Sequence, residues 1–299
     1  METLGGKFKD NVRDALRLSK VAAVVTEQNV YQEGDEHVLP HLHTMVKTLA
    51  LPGSGISGFE HLKDLLGKAR AGHSCLLFLE HYSNLDLSAF HYFLGKEPAP
   101  GKDIADALVA IAGIKLNEEN PVVAAFTGAH TRLVIYPSRG LAHLDPVKDH
   151  AEIVRSNSIN RAAMKTLLDI KRKGKLILVF PSGTRYRPWD PSTKKGVREI
   201  DSYVKSFDYM CLVAINGEIL HVRQGDMMDD FVSEDVIRFT AGPAQSCTEF
   251  RNAAKAKAEA AGIEDKKQAV VDTIMERLDE MHIAAEAERK QYFTGCCGA

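Results

Sequence analysis

The chain has 299 residues, 44% of them apolar and 26% charged, with a formal net charge of −2. That length accommodates one large domain, or one domain with a smaller companion, and the composition is that of an ordinary globular protein. The near-zero charge argues against bulk nucleic-acid binding, and no apolar run approaches the roughly 18 residues that span a bilayer.

In chain order, residues 7–28 carry helical periodicity through Phe8, Val12, Ala15, Leu16, Val21 and Val24. Residues 35–49 read as a second helix with Pro40 near its start. Leu51-Pro52-Gly53-Ser54-Gly55-Ile56-Ser57-Gly58 has linker composition. It predicts a helical N-terminal domain over 1–56 and an α/β body over 57–299. The body reads as helix 58–70, strand 75–80, helix 85–94, strand 106–112, helix 121–127, strand 132–136, helix 158–172 and strand 176–180. Further strands are expected at 211–215 and 236–239. The stretch 246–291 reads as helical with a break at Ala261-Gly262, its apolar stripe packing on the body of a monomer. This alternation predicts the α/β class: a mainly parallel mixed sheet flanked by helices, with a small helical N-terminal domain.

Five cysteines without ligand or framework spacing fit a reducing compartment, the cytoplasm or an organelle stroma. The first residues lack the pattern of a secretory or transit peptide. Cys296 stands fourth from the end, but its neighbours suit a frayed tail better than a prenylation signal.

Two stretches carry chemistry. The apolar run Leu76-Leu77-Phe78-Leu79 ends in Glu80-His81, and Asp86 follows five residues after the histidine. A strand end of an open α/β sheet is where ligands bind, and a carboxylate one turn away can fix the tautomer of a histidine base. Ser83-x-x-Asp86 also matches a helix capping box, a role compatible with orienting His81. The second stretch, Pro181-Ser182-Gly183-Thr184-Arg185-Tyr186-Arg187-Pro188, follows the strand ending at Phe180. Arg185 and Arg187 point the same way in an extended loop, and arginine grips phosphate or carboxylate in a bidentate manner. Gly183 allows close backbone approach. With Arg139 and Lys115 after two other strand ends, these arginines make a candidate anion pocket beside His81.

On His81-x-x-x-x-Asp86 and Phe180-Pro181-Ser182-Gly183-Thr184-Arg185, the chain resembles the glycerolipid acyltransferases, and within them the soluble plastid-type glycerol-3-phosphate acyltransferases. The resemblance covers roughly residues 58–220. Ser182 stands where that type has serine, and Arg185-x-Arg187-Pro188 with Asp190-Pro191-x-Thr193 follows its extended loop. Gly140 replaces a histidine of that type, and Thr184 follows the wider family. The resemblance implies a general base, His81, partnered by Asp86. It implies phosphate binding by Arg185 and Arg187, with Arg139 nearby; Ser182, Gly183, Thr184 and, from its strand-end position, Lys115 are expected to line the same site. It also implies an acyl-carrier protein or acyl-CoA donor, glycerol-3-phosphate as acceptor, and no cofactor or metal. Lysophosphatidate is the alternative acceptor. A peripheral membrane contact is compatible with such substrates.

Other readings stay open on the residues alone. Ser182 as a hydrolase nucleophile lacks the first glycine of G-x-S-x-G. His37, His41 and His43 lack a completing metal ligand. A non-catalytic phospholipid-binding protein would keep the basic pocket. Phe90, Tyr92 and Phe93 line either an acyl groove or the core. The basic runs Lys171-Arg172-Lys173-x-Lys175 and Lys194-Lys195 are candidate docking faces for an acidic carrier protein, or solvated charge.

Overall fold

The structure, a computed structural model, describes residues 1–22, 24–118, 120–141 and 144–294; the side chains of Arg139, Phe293 and Thr294 and the tail around Cys296 lie outside the described residues. The strands among them are β1 (Glu2–Thr3), β2 (Tyr31–Gln32), β3 (Gly55–Ser57), β4 (Cys75–Leu79), β5 (Leu108–Gly113), β6 (Arg132–Ile135), β7 (Leu176–Val179), β8 (Tyr209–Asn216), β9 (Leu220–His221), β10 (Phe231–Val232), β11 (Arg238–Ala241) and β12 (Gln245–Ser246). Eight of them form one path, β2-β6-β5-β7-β4-β8-β11-β3, with β12 pairing β8 off it, and β1, β10 and β9 make a small separate sheet. The large sheet is mixed. Neighbours from β6 through β8 run parallel, β2, β11 and β12 pair antiparallel, and β3 pairs parallel to β11.

β4 is buried along its whole length between β7 and β8. Its side chains alternate between two cores, as a period of two requires. Leu77 and Leu79 enter one with Leu42, Leu65 and Phe90 from three helices (Leu39–Leu49, Phe59–Arg70 and Asp86–Leu94). Leu76 and Phe78 enter the other with Ile159, Leu167, Val271 and Leu278 from helices His150–Ile170 and Lys266–Thr294. The N-terminal helices contribute Leu4, Val12, Leu42 and Leu49 to the first of these cores. The expected boundary between residues 56 and 57 falls inside β3, which pairs with β11.

Several expected elements have different bounds: the helix expected over 35–49 starts at Leu39, the strand expected over 236–239 is β11, and three others differ for a physical reason. The first helical stretch divides into Leu4–Lys7 and Lys9–Leu18 and stops at Ser19, which is extended. Val21, Val24, Val25 and Thr26 are β-branched and resist helix, and Val24 points to solvent. Asp106 and Ala107 close the helix Gly101–Ala107 instead of opening β5, a distinction that an unbroken apolar run does not carry. The long crossover helix begins at His150 rather than 158, because its first turns bury few apolar residues and so show little periodicity.

Candidate active site

The β4–β8 ladder continues one residue past the strand, with Glu80 N–H donating to the Val213 carbonyl at 3.2 Å. His81 then turns off the sheet end. Its Nδ1 lies 3.0 Å from Asp86 Oδ2, and the side chains are 17% and 4% exposed. The same carboxylate accepts from Tyr82 N–H at 2.6 Å, Ser83 N–H at 2.9 Å and the Ser83 hydroxyl at 2.7 Å. Four donors thus hold one side chain at the first residue of the helix Asp86–Leu94, where the helix dipole also favours negative charge. A carboxylate only accepts, so Asp86 selects the tautomer with the proton on Nδ1, which in the neutral ring leaves the lone pair on Nε2. The imidazole stacks on Phe180, centroids 3.9 Å apart and planes at 18°. The capping-box expectation is corrected in detail: Ser83 does not cap the helix, and Asp86 reaches back to it.

The arginine loop comes to His81 through its backbone. Tyr186 N–H donates to the His81 carbonyl at 2.8 Å. Gly183 N–H closes a turn onto the Phe180 carbonyl at 2.9 Å, with Gly183 at φ +65°. Ser182 is buried and its hydroxyl donates to the Thr184 carbonyl at 2.7 Å, so it holds the turn. Arg187 N–H donates to Thr193 Oγ1 at 2.8 Å. These bonds give the loop one shape independent of any ligand.

Arg185 is three-quarters buried, its Nη1 3.7 Å from Asp230 Oδ2. Neither of those two atoms has a hydrogen-bond partner. Burial pulls the guanidinium below its usual range, against the pull of Asp230. Burial likewise raises the Asp230 carboxyl, with the Arg223 N–H opposing. Arg187 forms no ion pair among the described residues. Arg185 is within electrostatic reach of both Asp86 and Arg187, so the loop brings a guanidinium with unspent donors toward the His81–Asp86 pair.

Sheet order grades the remaining cations. β7 neighbours β4, so its loop lies against His81; β5 is two strands away and β6 three. At about 4.8 Å per strand, Lys115 after β5 starts roughly 10 Å along the rim and Arg139 after β6 roughly 14 Å. Lys115 is exposed on the turn Lys115–Glu118. Arg139 stands on the turn Ser138–Leu141.

Sequence reasoning missed a second histidine–carboxylate pair behind the first. Glu80 is 5% exposed and accepts from Ile215 N–H at 2.7 Å, the Tyr82 hydroxyl at 2.9 Å and His282 Nδ1 at 3.1 Å. The bond to Glu80 raises the His282 pKa above the usual histidine value. Burial pushes the Tyr82 hydroxyl well up. Asn216 Nδ2 donates to the His282 carbonyl at 2.9 Å, fastening the helix Lys266–Thr294 to the end of β8. Glu80 sat in plain view before His81; the missing signal was His282, 202 residues away.

Other expected residues serve structure. Phe90 and Phe93 pack on Phe239 in the core. Lys171 is buried with Nζ on the Ser206 carbonyl at 2.7 Å, Arg172 pairs with Asp208 at 3.0 Å, and Lys194 pairs with Asp279 at 2.5 Å, so the two basic runs are largely tied down. His43 joins His91 and His130 instead of a set with His37 and His41. Among the described residues no group of three or more His, Cys, Asp or Glu is arranged to hold a metal. Cavities of about 430 and 470 Å³ are lined around Arg132 and around Phe250 and Met281 respectively, neither including His81. A general base needs an oriented ring with an open nitrogen rather than a deep cavity. No family model and no curated protein matches the chain.

Proposed function

We propose that the protein is an acyltransferase that moves a fatty acyl group from an acyl thioester, on acyl-carrier protein or coenzyme A, to the sn-1 hydroxyl of glycerol-3-phosphate. The observation that carries the reading is the His81 ring: locked by Asp86 and Phe180, with no hydrogen bond to Nε2 among the described residues, and with Arg185, its Nη1 unspent, within electrostatic reach of Asp86. In the reaction, the acceptor hydroxyl gives its proton to His81 Nε2 as its oxygen bonds to the thioester carbon. The C–S bond then breaks and the imidazolium returns the proton to the leaving thiolate. Asp86 stabilises the imidazolium. Arg185 and Arg187 hold the phosphate, making attack effectively unimolecular, and Lys115 and Arg139 extend the positive rim. Ser182, Gly183 and Thr184 shape the loop that presents the two arginines. With this reading go the plastid-type architecture, a mainly parallel sheet with residues 1–56 as a small N-terminal domain, and a role in lipid metabolism in the cytoplasm or an organelle stroma.

Lysophosphatidate offers the same phosphate to the same arginines and is the rival acceptor. The test is a four-way assay of acyl-CoA and acyl-carrier protein against both acceptors. Transfer by the wild type with a ~10²- to 10⁴-fold loss of kcat in His81→Ala is the expected result. A wild type inert with all four pairs overturns the reading.

A further inference from the structure

Eleven large apolar side chains stand exposed among the described residues, and four of them, Val147 (85% exposed), Val154 (53%), Met164 (56%) and Leu168 (55%), belong to one segment. That segment is the helix His150–Ile170 and the turn before it. The helix already buries Ser156, Ile159, Ala163 and Leu167 against the body. At about 100° per residue, Val154, Arg161, Met164, Lys165 and Leu168 fall within one arc of about 100° on the opposite side. A helix apolar on two opposite faces normally has a partner on both. The cations of this outer face, Arg161 and Lys165, form no ion pair among the described residues, with exposed Asp169 beside them; exposed Lys148 in the preceding turn has exposed Asp145 next to it, which accepts its backbone N–H at 2.9 Å.

The N-terminal end of the helix lies on the same side of the sheet as the candidate site. The Asn160 side chain accepts from Tyr136 N–H at 2.8 Å and donates to the Tyr136 carbonyl at 3.0 Å, so residue 160 is level with the end of β6. β6 and β4 point the same way through β5 and β7. Residues 150–160 therefore extend up to about 15 Å beyond the strand ends, on the side where His81 emerges, while Arg161, Met164, Lys165 and Leu168 run back alongside the sheet.

We infer that this face is a docking surface for an anionic lipid bilayer. Apolar residues and cations alternate on one convex helix, so the apolar tips enter the acyl boundary while the ammonium and guanidinium groups meet lipid phosphate. A second copy is disfavoured by charge: a two-fold contact would set Arg161 and Lys165 against their own equivalents. The inference does not depend on the acyltransferase reading.

The test is co-sedimentation of the full chain with phosphatidylcholine vesicles, with and without one-third phosphatidylglycerol. Pelleting with the anionic vesicles alone, reversed by high salt, is expected. At about fivefold per surface cation, Arg161→Glu/Lys165→Glu should weaken partitioning roughly 25-fold or more. Met164→Asp/Leu168→Asp should abolish it, with the circular dichroism of both variants unchanged. A wild type that stays in the supernatant overturns the inference, as do two double variants that bind like the wild type. Self-association lost in the aspartate variant without vesicle binding gives the face to a second copy. Retention on an immobilised acidic protein without vesicle binding gives it to a protein partner. Either result also overturns the lipid assignment.

Discussion

The residue before His81 and the residue after it belong to a second histidine–carboxylate pair, so one sheet end carries both. His81 Nδ1 sits 3.0 Å from Asp86, and His282 Nδ1 sits 3.1 Å from Glu80. Both carboxylates are almost fully buried and both accept backbone N–H groups. The difference lies around the rings. His81 is pinned on Phe180 with no hydrogen bond to its far nitrogen among the described residues, whereas His282 shares its proton between Glu80 and the Tyr82 hydroxyl and holds a helix to the sheet. A histidine–carboxylate distance therefore does not define a base; what the second nitrogen faces does. Tyr82 joins the two pairs, its N–H donating to Asp86 and its hydroxyl to Glu80.

The sharpest way to break this comparison is Asp86→Asn. An amide can donate to Nδ1 and so favours the wrong tautomer. The expected loss in kcat is up to about 10⁴-fold, with KM for the acceptor little changed. Nitrogen chemical shifts should move the ring proton from Nδ1 to Nε2 in the same variant. Full activity in Asp86→Asn would demote the first pair to the status of the second. Arg187→Ala tests the open side of His81. Removing a charge-assisted bond to phosphate should raise KM for the acceptor about 10- to 100-fold with kcat nearly intact. An unchanged KM would remove Arg187 from the site.

What was legible in the sequence follows from range. His81 and Asp86 are five residues apart, and a strand followed by a helix sets their geometry locally. The Phe180 loop was legible because its prolines and Gly183 punctuate it so strongly. That this loop lies against His81 depends on β7 being the neighbour of β4, a pairing across 100 residues that no local pattern encodes. Asp230 and His282 were missed for the same reason. The apolar run 106–112 misled because burial looks alike in a helix end and a strand. Basic runs misled because Lys171 buries its stem and gives its charge to a carbonyl, which composition does not reveal.

A third group of histidines sharpens the contrast because no carboxylate bonds to it. His43, His91 and His130 touch in series as tilted rings, with Ser88 on His130 at 2.9 Å. Burial lowers the His43 pKa to about 4 and lowers His91 and His130 as well. Groups with depressed folded pKa values bind protons first in the unfolded chain, so their contribution is present above pH ~6.5 and is lost as pH falls toward 4. From His43 alone, about 2 kcal/mol should disappear between pH 7 and pH 5, read as a falling urea midpoint. His43→Gln should flatten that slope; a slope unchanged by the substitution would place the acid sensitivity elsewhere.

His282 should show the opposite sign. Its folded pKa is raised by Glu80, so the stability it adds is full below pH ~6.5 and is lost as pH rises through the folded value. Because His282 is 30% exposed, solvent screening keeps the effect small, under about 1 kcal/mol. The difference in urea midpoint between wild type and His282→Gln should be largest near pH 5.5 and shrink by pH 8.5. A difference that grows with pH would mean that neutral His282 makes the better bond. The same variant separates the two pairs in function. If the substitution lowers kcat by a few-fold at constant KM, and Tyr82→Phe does the same, then the His282 bond is felt at His81 through the shared Glu80–Tyr82 backbone. If only stability moves, the second pair is a fastening and the first works alone.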